Sequence, residues 1–197
     1  LQLGTGDIIF EEAIYKESCN SMKLAVSVAT VCLMALPAFS QSNANPLSAG
    51  AKYLYSITKN DVLKSAEEMP EANYSFKPVS SVRNFGQLVG HVADAQYEFC
   101  APVIGDGAKS PEVEKNKTSK ADLINGLKEA FAYCDKAYDN MTDAHAAEVV
   151  DFYGHKAAKL TLLNFNVAHN DEHYGNMVTY LRIKGLVPPS SQHQSGQ

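Results

Sequence analysis

The chain has 197 residues with 17 Lys or Arg against 22 Asp or Glu, a formal net charge of -5, and no Trp. This acidic balance with interspersed signs excludes a basic nucleic-acid-binding face. The length admits one core and one domain.

Residues 1–21 show no sustained periodicity before Met22 and read as upstream read-through. From Met22 a single cation, Lys23, precedes an apolar run from Leu24 to Leu36, and Pro37-Ala38-Phe39-Ser40 follows. This is the pattern of a signal peptide, with cleavage expected after Ser40. The run is too short to cross a hydrocarbon core of about 30 Å, which takes about 20 helical residues, and Cys32 lies inside it, where lipid attachment does not occur. The expected product is a periplasmic or secreted protein with no stable membrane anchor. It carries 15 Lys or Arg against 18 Asp or Glu over residues 41–197. Export permits a disulfide between Cys100 and Cys134, but the spacing serves two buried thiols equally well.

Residues 41–46 read as a linker ending in Asn45-Pro46. The first helix is expected over 47–69, with Tyr53, Leu54, Ile57, Val62, Leu63 and Ala66 as its apolar positions and Pro70 as its stop. Ser80 or Ser81 is the expected cap of a second helix, whose inward face holds Phe85, Leu88, Val89, Val92, Ala95 and Phe99 and which ends near Gly105. Residues 106–118 have the composition of a solvated loop. Ser119 with Asp122 resembles a capping box that opens a third helix through Leu123, Leu127, Ala130, Phe131, Cys134 and Tyr138. Residues 141–157 suggest a short helix near 144–149 and a turn at Gly154. A long fourth helix is expected over 159–184, closed by Gly185 and Pro188-Pro189. Four such segments, with no convincing alternating strand, give an all-α fold: an antiparallel four-helix bundle over 41–190, then a flexible tail over 191–197.

His169 and His173 are four residues apart, so one helix turn places both on the same face. Stepping by threes and fours from them reaches Leu162, Phe165, Met177 and Tyr180, an apolar seam. Imidazoles there need hydrogen-bond partners or a metal, because an unsatisfied buried polar group costs roughly 1–3 kcal/mol. The string His169-Asn-Asp-Glu172-His173 also fits the H-x-x-E-H pattern of inverted zinc proteases. That reading fails for want of an acidic third ligand, since residues 174–197 contain no Asp or Glu. His193 lies in the tail, and His145 and His155 read as surface residues. His91, on the inward side of the second helix, is therefore the best third ligand.

Three neutral imidazoles leave a coordination position for water, as in catalytic sites. Zinc fits best, with nickel or iron as alternatives. Asp94 and Glu172 are weaker candidates for acid–base or ligand-supporting roles, and a solvated helix surface is the simpler reading of each.

Phe85-Gly-Gln-Leu-Val-Gly-His91-Val-Ala-Asp94, His169-Asn-Asp-Glu-His173-Tyr-Gly175-Asn176, Tyr180-Leu181-Arg182 and the ending Gly185-Leu-Val-Pro188-Pro189-Ser190 resemble the DinB/YfiT-like superfamily over nearly all of residues 46–190. The resemblance implies a bundle with His91, His169 and His173 as metal ligands. Asn176 departs from the Gln common in that family. The resemblance brings thiol-dependent transferases, an isomerase and proposed metal-dependent hydrolases into view. A hydrolase acting on an unidentified small molecule is the first expectation. A thiol transferase or a non-catalytic metal- or ligand-binding module is the alternative. A second copy of the chain is left open as a partner.

Overall fold

The computed structural model describes residues 44–192. The read-through and leader assigned to residues 1–40, and His193, lie outside the described residues. The elements are α1 (Pro46–Glu68), α2 (Phe85–Ile104), α3 (Val113–Asn116), α4 (Lys120–Asp139), α5 (Asp143–Ala146), β1 (Val149–Phe152), β2 (His155–Ala158), α6 (Lys159–Ile183) and α7 (Pro189–Gln192). None of the described helices is long and apolar enough to cross a membrane.

The four long helices α1, α2, α4 and α6 form the expected all-α bundle. Ion pairs Lys52–Asp139, Lys59–Asp135 and Lys128–Glu67 show that α1 and α4 run antiparallel. Gln96–Asn170 and the Tyr180–Arg83 carbonyl bond show the same for α2 and α6. Between these two pairs, α2 and α4 run in the same direction, with Gly86 against Leu123 and Cys100 bridged to Cys134. The link from α2 to α4 must therefore travel back along helices about 30 Å long. This is why residues 105–119 form a long crossing strap rather than a tight turn.

Phe85, Val89, Val92, Leu127, Phe131, Leu163, Met177 and Leu181 form the centre of the core. The expected inward faces of α2 and α4 are all buried. The face expected for α1 needs correction, because Tyr53, Leu54 and Ile57 are exposed. Its buried stripe is Ser48, Ala51, Tyr55, Thr58, Val62 and Ala66. Polarity hid that stripe: small hydroxyl residues satisfy themselves locally, Thr58 on the Tyr55 carbonyl and Ser65 on that of Asp61. Asp143 caps α1 from a distance, accepting from the Leu47 and Ser48 amides at 3.1 and 2.8 Å.

The cap of α2 is Asn84, not Ser80 or Ser81. Asn84 and Gln87 form a reciprocal capping box, which a serine further upstream cannot reach. Ser119 caps α4 as expected. The short helix expected near 144–149 is α5, one residue earlier and three shorter at its end. The turn expected at Gly154 closes a two-stranded antiparallel hairpin, which was not expected, pairing Val149 with Ala158 and Phe152 with His155. The bridge between Cys100 and Cys134, left open by the sequence, ties α2 to α4 with a Cα–Cα distance of 5.4 Å.

Candidate metal centre

The strap between α2 and α4 builds one wall of the site. As it returns along α2, α3 settles on Gly90, where a Cβ would stand 2.5 Å from the Glu114 Cα. On its other side Val113 sits over Gly126 of α4, whose Cβ would meet Val113 Cγ1 at 2.9 Å. Asp94, one turn after His91, fixes the strap: its carboxylate accepts from the Val113 amide at 2.7 Å, the Glu114 amide at 3.0 Å and the Ser110 hydroxyl. Glu112, with φ 55°, turns the chain into this position. Asp94 is thus not a freely solvated surface carboxylate. It anchors the loop.

This anchoring presents Glu114 to the site. Its Oε1 accepts from Arg83 Nε at 2.8 Å, and its Oε2 lies 3.4 Å from His91 Nδ1. The sequence reading missed Glu114, which lies 23 positions from His91 in a segment without periodicity. The neighbouring Gly90 was its one signal, as a site of close backbone approach.

His91 on α2 meets His169 and His173 on α6. His169 Nε2 lies 3.2 Å from His91 Nε2 and 3.1 Å from His173 Nε2. The three sites sequence reasoning assigned to one ion are therefore brought together. His173 is buried and His91 and His169 are partly exposed. Phe165, expected on the seam, is exposed at its edge, with its ring 5.3 Å from that of Phe99. The Phe99 ring in turn lies 5.4 Å from that of His169. Below the imidazoles the α6 seam becomes a buried amide ladder, in which Gln96 donates to Asn170 and accepts from Asn166.

Burial holds the His169 pKa down to about 3, helped by the neighbouring His173 and His91. Burial likewise lowers His173 to about 4, with His91 adding to the effect and Glu172 opposing it. His91 is lowered by burial and by Arg83, against the pull of Glu114. Neutral imidazoles with available lone pairs result.

The donor set suits a divalent ion. With Glu114 accepting from His91 Nδ1–H, the His91 Nε2 carries a lone pair. Three neutral imidazoles whose ligand atoms lie within 4.8 Å of one another, with His169 Nε2 in contact with both others, cannot all satisfy one another with the protons at hand, whereas one cation accepts all three lone pairs. Two nitrogens bound tetrahedrally to one zinc at roughly 2.0–2.1 Å stand about 3.3 Å apart, close to the 3.2 and 3.1 Å found here. The Asn176 amide reaches His173 Nδ1 at 3.4 Å, while His169 Nδ1 is buried without a partner among the described residues. Glu172 is exposed, as expected of a solvated helix surface. His145, 3.9 Å from Glu148, and His155 on β2 are also exposed and take no part.

Comparison with known proteins agrees with this fold. The uncharacterised protein YjoA of Bacillus subtilis (strain 168) is 29% identical over 133 residues, which is 64% of this chain and 84% of that protein. Its crystal structure, described as that of a DinB-like protein, superposes with a TM-score of 0.53 at 22% identity, covering 64% of this chain and 85% of that one. A DinB-like protein from Bacillus cereus ATCC 10987 gives a TM-score of 0.64 at 17% identity over 72% of this chain and 95% of its own. A mutant of mycothiol-dependent maleylpyruvate isomerase gives 0.56 at 13% identity over 66% of this chain and 60% of its own. The DinB superfamily profile matches residues 54–177, more than half of the sequence, and the chain belongs to the DinB superfamily.

Proposed function

We propose that this chain is an exported metal-binding member of the superfamily that acts as a metal-dependent hydrolase on a small molecule. The observation that carries the reading is the meeting of His91, His169 and His173 through their Nε2 atoms at 3.1–3.2 Å. A divalent ion held there, zinc before nickel or iron, supplies Lewis acidity for activating water or polarising a substrate oxygen.

The chain's own residues prepare the site. Glu114, itself held by Arg83, orients the His91 ring and raises its basicity. Phe99 walls the imidazoles on the side of Phe165 and limits water there. The Tyr180 hydroxyl donates to the Arg83 carbonyl at 2.6 Å and fixes the register of α6 against α2. The two helices that carry the ligands therefore meet as rigid elements.

Export is part of the proposal and rests on the leader pattern of residues 22–40. The Cys100–Cys134 bridge supports it, since such bonds persist in oxidising compartments. Export also favours hydrolysis over transfer to a cytoplasmic thiol. The likeness to a mycothiol-dependent isomerase is the observation that keeps a thiol-dependent reaction as second reading.

Metal content of the purified protein, compared with His91→Ala, His169→Ala and His173→Ala, tests the site. Each variant should lose the ion while keeping its helical spectrum; equal metal in all four proteins would refute it. Esters and amides assayed with and without reloaded metal, beside thiol–acceptor pairs, then test the reaction. Turnover confined to thiol pairs would replace the hydrolase reading. No metal-dependent turnover would leave a binding module. N-terminal sequencing of the protein from separated cell fractions tests export, which a cytoplasmic product retaining Met22 would contradict.

A further inference from the structure

A cleft of about 680 Å³ opens between the C-terminal half of α2, the start of the strap and the tip of the β1–β2 hairpin, and none of the three imidazoles lines it. Its size is that of a small-molecule site. Tyr97, Pro102 and Phe152 give it apolar walls, and Glu98 stands among them. Tyr97 is held by stacking on Tyr133, with ring centroids 4.7 Å apart.

The hairpin tip is the telling feature. Tyr153 and Gly154 both have positive φ, 52° and 79°, the geometry of a two-residue turn whose first position favours Asn, Asp or Gly. An aromatic residue is costly there. Tyr153 nevertheless occupies it, 74% exposed, with its ring edge-on to Phe152 and its hydroxyl turned toward Glu98. The backbone conformation alone does not favour this residue, and its ring adds an aromatic rim to the cleft.

The charges in the cleft are unequal. Asp94 is fully engaged by the strap, and Asp151 accepts from the Gly154 amide and pairs with Lys156 at 3.3 Å. Glu98 is exposed, faces the Tyr153 hydroxyl and acts at longer range on His91. Lys109 stands exposed at the rim.

We propose that this cleft binds a small organic cation, an ammonium or guanidinium group on an apolar body, with Glu98 as its counter-charge and Tyr97, Phe152 and Tyr153 as aromatic walls. A carboxylate set among aromatic faces is the arrangement that recognises such cations. None of the three imidazoles lines the cleft, which adjoins the metal centre through Asp94 and the reach of Glu98 to His91, and the proposal does not depend on the hydrolase reading.

Calorimetric titration of the purified, metal-stripped full chain with benzyltrimethylammonium, benzyl alcohol and phenylacetate tests it. The cation should bind at least about ten-fold tighter than the other two. Glu98→Gln should remove that preference. Tyr153→Asn, which suits the turn better, should raise the melting temperature yet weaken the cation several-fold. Equal binding of the three probes, preference for phenylacetate, or unchanged cation affinity in Tyr153→Asn would overturn the proposal. Repeating the titration with metal restored keeps the two readings apart, since the cation should still be preferred over the other two probes whether or not the ion is bound.

Discussion

Gly90 and Glu114 are in such close backbone contact that a Cβ on the glycine would stand 2.5 Å from Glu114 Cα and 2.7 Å from its amide nitrogen. Backbone cannot yield as a side-chain tip can. The contact sits beside His91 and determines how far Glu114 lies from that imidazole.

Gly90→Ala should therefore push the strap outward, destabilising the fold by about 1–3 kcal/mol, the usual range for overpacking. Because Glu114 moves with the strap, metal affinity should fall as well. Chelator competition and thermal melts measure the two effects. An alanine variant with native affinity would show that the placement of Glu114 does not matter.

Glu114→Ala should lower metal affinity by about 10- to 100-fold, the range for residues that orient a ligating histidine. Asn176→Ala should cost less, because its neutral amide meets His173 Nδ1 at a long 3.4 Å. In the double variant Gly90→Ala/Glu114→Ala, affinity should be close to that of Glu114→Ala alone, since both changes remove the same contact. Full additivity would mean that Gly90 acts by another route.

Asp94→Ala strands the Val113 and Glu114 amides and the Ser110 hydroxyl. A loss of about 1–3 kcal/mol of stability is expected for buried donors left without a partner. The weaker metal binding that follows should be secondary, through release of Glu114. A variant that keeps native stability and affinity but loses turnover would instead assign Asp94 an acid–base role.

These residues also show where the sequence was informative. Periodicity identified the inner faces of α2 and α4, because their buried residues are apolar and recur every three or four positions. His169 and His173 were legible for the same reason, being one turn apart on a long helix. The stripe of α1 was not, because Ser48, Thr58 and Ser65 are buried with their hydroxyls satisfied, while Leu54 and Ile57 face outward. Glu114 was invisible because its role depends on the return path of the strap. That path follows from α2 and α4 running in the same direction, a tertiary fact no local spacing encodes. The hairpin escaped because its strands of four residues are too short to show a clear alternation.

The bridge between Cys100 on α2 and Cys134 on α4 joins residues 34 apart in sequence. A closed loop of that length restricts the unfolded chain enough to contribute about 4 kcal/mol at most in the chain-entropy picture. Urea unfolding of Cys100→Ala/Cys134→Ala, or of the wild type under reducing conditions, should show a loss of that order. Metal stoichiometry should survive in the folded state. The ligands sit on α2 and α6, and those helices are held together by the Gln96 bonds to Asn170 and Asn166 and by Tyr180 on Arg83, not by the bridge. Loss of the ion on reduction, in protein still folded, would show that the α2–α4 tie also determines the position of His91.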